Sequence, residues 1–384
     1  MTADYQHLGI YSDWVAKAQE QQTLYSRIPH GPETQRKVRH VLGFTSLSEN
    51  PADVQIEARW ERDGVAGEVV SWSVGYGPRS EAWLLKPANA DGPLPGVVAL
   101  HDHSGIKYYG KEKIAAGPVP VRPSLAPLWD LEYGGRPYAN ALAKDGFVVL
   151  VHDTFTWGSR RFPFQAMPQE LRDSVTVADD SRLSWRQGNY GTSREASQYD
   201  EAAALHEHLV EKYCRQLGTT YAGVISHEDR IAVNYLQSRP DVIAERVGCI
   251  GLSGGGCRSG LLQATCDQIK AAVVVGMMST YEALLDRHIA SHTWMLFPDG
   301  WARYGDWPDL VACRAPSPLL VQYDLHDELF PVAGMRAADK RLAEHYRQAG
   351  HPDAYQGEFY PGPHKFDLEM QASAFAWLKR QLRA

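Results

Sequence analysis

Five short runs of the 384-residue chain are almost uninterruptedly apolar: PGVVALH (95–101), FVVLVHD (147–153), RVGCIGLS (246–253), AAVVVGMM (271–278) and PLLVQYD (318–324). A strand with one solvated side alternates apolar and polar residues, so runs that are apolar throughout predict strands covered on both faces, as in a parallel sheet. Helix-like stretches stand among them, YANALAKDG, DRIAVNYLQSRP, GGCRSGLLQATC and AGMRAADKRLAEHYRQAG, and several end at Gly or Pro, the usual helix stops. The alternation predicts an α/β fold: a mostly parallel, doubly wound sheet flanked by helices, with right-handed crossovers.

Two regions depart from this rhythm. Residues 1–65 predict an N-terminal, mostly helical extension (YSDWVAKAQEQQTLYSRI) packed on the core, and VQIEARWERDG and EVVSWSVGYG, where alternation replaces continuous apolarity, predict an antiparallel hairpin. Residues 66–384 form the main domain, with cap-like insertions at about 106–137 and 161–225. Insertions of that length predict lids or binding loops. No internal repeat or low-complexity tract is present.

Composition narrows the partners. The chain is 44% hydrophobic with 11 Trp, enough to fill a large core. Its formal net charge is −7 without a sustained Lys/Arg run, so the footprint of a nucleic-acid binder is missing and none is expected as partner. The N-terminus lacks a basic-then-apolar leader pattern, and no uncharged apolar run is long enough to span a bilayer. Both predict a cytoplasmic protein with no membrane partner. Self-association into a homo-oligomer is compatible with all of this. Cys214, Cys249, Cys257, Cys266 and Cys313 form an odd set without a C-x-x-C pair, which predicts reduced structural thiols rather than disulfides or a thiolate zinc site.

The chemistry concentrates at Gly251-Leu252-Ser253-Gly254-Gly255, a G-x-S-x-G segment between an apolar strand run and a helix-like stretch. A serine at the tip of a sharp strand-to-helix turn adopts strained backbone angles, and a side chain on either flank would crowd strand or helix. Ser253 is therefore the candidate nucleophile. The helix that follows aims unsatisfied N–H groups at the site, and Gly254 N–H is the first candidate donor to an oxyanion.

Such a serine needs an acid and then a base, each in a loop after a late strand. Asp327 in LHDELFP follows PLLVQYD and is the candidate acid; Asp324, at the strand end, is its rival but has the position of a turn-shaping residue. The candidate base is His364 in YPGPHKF, between strand-like YQGEFY and the final amphipathic helix, with His326 the weaker alternative. Upstream, GVVAL runs into His101-Asp102-His103-Ser104-Gly105, where His103 N–H is the candidate second oxyanion donor. H-D-H also suits a metal, but three residues in one turn seldom close a site without distant ligands, so no metal is expected. Acyl transfer of this kind needs no cofactor.

Through LHDHSG, VHDTFTWGSRR, DRIAVNYLQSRPDVIAERVGCIGLSGGG, APSPLLVQYDLHDELFP and PGPHKF, the chain resembles the α/β-hydrolase superfamily. Within it the resemblance is to dienelactone-hydrolase-like and acetyl-xylan-esterase-like carboxylesterases, over approximately residues 70–384. It implies Ser253 as nucleophile, Asp327 as acid, His364 as base and backbone donors at Gly254 and His103. Dienelactone hydrolases proper resemble a shorter chain with a cysteine nucleophile, whereas this chain has serine and two long insertions. The expected activity is hydrolysis of a small-molecule carboxylic ester, such as an acetyl or other small acyl ester. The competing readings are a ligand-binding or lyase protein on the same fold, and a peptidase or amidase.

Arg160, with Arg161 beside it, is a candidate for a substrate carboxylate. Trp157 and Tyr108 are candidates for lining a cleft, as are Tyr109, Trp129, Tyr133, Trp185 and Tyr190.

Overall fold

In the computed structural model, which describes residues 4–44, 47–119, 125–176 and 193–383, all five apolar runs are strands of one sheet. Among the described residues its nine strands are β1 (Ala52–Arg62), β2 (Val65–Ser73), β3 (Ser80–Pro87), β4 (Leu94–Leu100), β5 (Val148–His152), β6 (Val242–Leu252), β7 (Ile269–Val275), β8 (Leu319–Asp324) and β9 (Tyr355–Tyr360). Their order is β1-β2-β3-β5-β4-β6-β7-β8-β9. Neighbours from β5 to β9 are parallel, whereas β1, β2 and β3 join as antiparallel strands at one side.

The helices are α1 (Asp13–Gln21), α2 (Pro32–Leu42), α3 (Ala126–Glu132), α4 (Tyr138–Lys144), α5 (Gln169–Thr176), α6 (Arg194–Gln216), α7 (Tyr221–Gln237), α8 (Gly254–Thr265), α9 (Tyr281–Leu284), α10 (Trp307–Val311), α11 (Val332–Gln348) and α12 (Leu368–Arg383). Because side chains alternate along a strand, the continuous apolar runs feed two cores at once. Val98, Leu100, Val247 and Cys249 pack with residues of α7, α8 and α11. Val97, Ala99, Ile250 and Leu252 pack on the opposite face with α4 and α12. At roughly 1.5–3 kcal/mol per fully buried aliphatic side chain, successive apolar positions of these strands stabilise one layer and then the other.

The division expected at residue 65 falls just past the hairpin turn, at the first residue of β2. Arg62 is opposite Val65 in the ladder, so β1 belongs to the sheet and the helical part of the extension is α1 and α2. The second insertion supplies α5 and α6, which meet through Met167, Val175, Tyr199, Ala202 and Ala203, and it runs on into the start of α7. Among the described residues no helix is long and apolar enough to cross a membrane.

Candidate active site

β6 ends at Leu252 and α8 starts at Gly254, so the turn between them is the single residue Ser253, at φ 56° and ψ −122°. A non-glycine residue in that region stores on the order of 1–3 kcal/mol and persists only where its surroundings enforce it. Here they do. The Ser253 amide donates to Val275 O of β7 at 2.9 Å, and the chain turns so tightly that a Cβ on Gly251 would lie 2.3 Å from the Gly255 carbonyl carbon.

His364 follows β9. Its Nδ1 donates to Asp327 Oδ2 at 2.6 Å, while Asp327 Oδ1 accepts the Leu329 amide at 2.8 Å. Burial lowers the imidazole's proton affinity, but the Asp327 carboxylate and its hydrogen bond outweigh that and raise His364 to about 9. Its Nε2 is buried and makes no hydrogen bond among the described residues. The ring lies beside Gly276, where an added Cβ would sit 2.9 Å from His364 Cε1. Gly276 follows Val275, the acceptor of the Ser253 amide, so the imidazole stands next to the turn that carries Ser253.

The two loops that deliver Asp327 and His364 are zipped together. Leu325 N donates to Tyr360 O (2.9 Å) and His326 N to Gly362 O (3.0 Å). The Gly362 amide in turn donates to His326 Nδ1 at 3.1 Å, which gives His326 a clamping part. Asp324, the rival acid, accepts the Lys365 amide on Oδ2 at 3.2 Å. Burial pushes its carboxyl up to about 7. The carboxylate hydrogen-bonded to the imidazole is that of Asp327.

His103 reaches the turn with its backbone. A Cβ on Gly254 would fall 2.7 Å from His103 N, so the two amides expected to serve an oxyanion lie side by side. The orientation is set by a residue that sequence reasoning missed, the fully buried Lys113. Its ammonium donates to Asp102 O, to Ile106 O (3.1 Å) and to His103 O (3.3 Å). Since a trans peptide holds its C=O and N–H antiparallel, capture of Asp102 O turns the His103 N–H away from Lys113. Asp102 Oδ2 is 3.1 Å from the same ammonium, and its Oδ1 accepts the Tyr133 hydroxyl. The H-D-H side chains thus diverge: Asp102 faces Lys113, and His103 Nε2 lies 2.9 Å from Glu207. Among the described residues, the His/Cys/Asp/Glu group whose ligand atoms approach within 4.8 Å is Asp324, Asp327 and His364, in which Asp327 and His364 are already bonded to each other.

Two of the substrate-binding candidates, Arg160 and Trp157, are buried, and Tyr108 is half-buried. Arg160 is 3% exposed and holds Glu228 through Nε (3.2 Å) and Nη2 (2.5 Å), with Nη1 on Tyr76 O and Pro78 O. A guanidinium so occupied braces the fold and has no face for a ligand. Its replacement by alanine strands the buried Glu228 charge and is expected to cost about 3–5 kcal/mol. Urea unfolding should show that loss with KM unchanged; a raised KM at wild-type stability would restore the binding role. Trp157 is buried, edge-on to His103 and under the Lys107 ammonium, so it packs behind the loop. Tyr108 lines a cavity of about 610 Å³ with Arg161, Phe162, Phe164, Glu195 and Tyr199, a cavity that Ser253 and His364 do not line. Trp129 donates to Lys113 O at 2.8 Å, Tyr109 is buried, and Trp185 and Tyr190 lie outside the described residues.

No family model matches the chain. Over 280 residues it is 23% identical to the Bacillus subtilis (strain 168) protein named "Putative hydrolase YtaP", covering 72% of this chain and 75% of that one. Among solved structures it is similar to one described as "a putative acetyl xylan esterase" from Bacteroides fragilis (TM-score 0.60, 17% identity, 85% of this chain and 73% of that one). It is also similar to a glucuronoyl esterase from Solibacter usitatus (TM-score 0.57, 13%, 99% and 97%) and to acetyl xylan esterase 1 from Thermoanaerobacterium sp. JW/SL YS485 (TM-score 0.55, 14%, 94% and 98%). With the strand order, the mixed sheet and the strand-to-helix turn at Ser253, these likenesses establish that the chain has the α/β-hydrolase fold.

Proposed function

We propose that the chain hydrolyses a carboxylic ester of a small acyl group through an acyl-enzyme on Ser253. The observation that carries this reading is the strained Ser253 turn standing beside an imidazole whose far nitrogen is held by Asp327. His364 Nε2 takes the Ser253 Oγ proton as Oγ bonds to the ester carbonyl carbon, and the carbonyl oxygen becomes an oxyanion facing the amides of Gly254 and His103. As the tetrahedral species collapses, the C–O bond to the alcohol breaks and His364 returns the proton to that alcohol. Water then repeats the sequence on the acyl-serine, releasing the acid. Asp327 fixes the imidazole tautomer and stabilises the imidazolium without itself taking a proton. The likeness to two acetyl xylan esterases and a glucuronoyl esterase supports an ester, and an acyl group as small as acetyl, as the substrate class.

The test is covalent. A fluorophosphonate probe is expected to add one label to the protein, and peptide mapping should find it on Ser253. Absence of label, or label elsewhere together with turnover of p-nitrophenyl acetate, would reject the assignment.

A further inference from the structure

α6 belongs to the second insertion, yet one of its carboxylates reaches the loop behind Ser253. Glu207 is 5% exposed, and its Oε2 lies 2.9 Å from His103 Nε2 and 2.6 Å from Lys107 Nζ. Its Oε1 accepts from Thr293 Oγ1 (2.7 Å) and the Trp294 amide (3.2 Å). A single buried group therefore ties α6 to the His103 loop and to the segment at 293–294. Burial raises the Glu207 carboxyl, but the Lys107 ammonium and His103 outweigh it and hold it well below its usual range.

The tautomer of His103 follows from its other nitrogen. Gly105 N donates to His103 Nδ1 at 3.0 Å, and a backbone amide can only donate, so Nδ1 carries no proton. The proton is on Nε2, which donates to Glu207. His103 is thus held at three points: Nδ1 by its own loop, Nε2 by α6, and the ring by a T-shaped contact with Trp157. Lys113 fixes the carbonyl side of the same loop. None of these contacts uses the His103 N–H itself, which lies beside Gly254.

We infer that Glu207 is a positioning residue for ester hydrolysis at Ser253: through His103 it sets the oxyanion-binding amide, so that the insertion helix is part of the catalytic apparatus. The inference rests on the serine reading above.

The experiment compares Glu207→Ala and Glu207→Gln with Glu211→Gln. Glu211 lies one helical turn along α6, equally buried, but its oxygens accept from Arg215 and the Tyr221 amide, away from His103. Each variant is assayed for kcat and KM on p-nitrophenyl acetate, for sites labelled by fluorophosphonate at completion, and for Tm. Losing an oxyanion donor outright costs roughly 10²–10³ in kcat, so displacing one predicts a loss of roughly 10–10² per labelled site for Glu207→Ala. KM should be unchanged. Glu207→Gln retains an acceptor for His103 Nε2 and should recover part of the loss; it also carries the comparison if the alanine variant does not fold. Glu211→Gln should lower Tm and leave kcat per labelled site intact. If the Glu207 variants behave like Glu211→Gln, the inference is overturned while the serine reading stands. If the wild-type enzyme is unlabelled at Ser253, both fall together.

Discussion

Replacing Ser253 by alanine is expected to lower kcat on p-nitrophenyl acetate by roughly 10⁶-fold, the scale on which a nucleophile acting as part of a coupled unit fails when removed. The oxyanion amides and the binding surface survive the change, so a residue of roughly 10³–10⁴ over the uncatalysed reaction remains. The backbone makes a second expectation. Ser253 sits at φ 56°, and alanine keeps the Cβ that makes this conformation costly, whereas glycine does not. Ser253→Gly should therefore be as inactive as Ser253→Ala but more stable, by part of the ~1–3 kcal/mol of strain. Chemical unfolding of the pair measures this. Equal stability would mean that the turn carries no strain, and undiminished turnover in either variant would remove Ser253 from the chemistry.

That pairing of strain with chemistry explains which parts of the molecule were readable in one dimension. The central strands are covered on both faces, and this writes every position of Val97–Leu100 and Val247–Leu252 in apolar letters. β3 is different: Ser80–Pro87 interleaves Glu81 and Lys86 with buried residues, neither alternating nor continuous, and it passed unrecognised. Asp327 and His364, which the structure joins by a hydrogen bond, could be singled out as candidates because order along the chain and strand-exit position constrain them. Lys113 and Glu207 could not. A lysine or glutamate is ordinarily solvated, and only the folded structure brings residue 103 to residue 207. The burial of Arg160 was hidden for a related reason, since its partner Glu228 lies on α7 and no local pattern announces the pair. The signal that existed was Lys107, Lys111 and Lys113 recurring within one insertion, but without their acids nothing in the sequence marks them as buried.

Asp327 and Asp324 offer the sharpest comparison that the site allows. Asp327→Asn keeps the size of the side chain but presents the wrong partner to His364 Nδ1, and an orienting carboxylate lost this way costs about 10⁴ in kcat. The pH profile should move as well. Activity requires His364 unprotonated at Nε2, so kcat/KM rises with pH through the imidazole pKa. Asp327 is the principal group raising that pKa, against the opposing effect of burial, to about 9. Without it the rising limb is expected at lower pH, on a much lower plateau. Asp324→Asn should behave otherwise. That carboxyl is pushed up to about 7 by burial, so its charge is already partly lost near neutrality. Asparagine can still accept the Lys365 amide at Oδ2's place. Its plateau should remain near wild type, with at most a small acid-ward displacement of the limb, because Asp324 also contributes to raising His364. Measured across pH 5–10, a larger loss at position 324 than at 327 would transfer the acid's role to Asp324. The predicted order instead makes the 2.6 Å contact from His364 to Asp327 the one on which turnover depends.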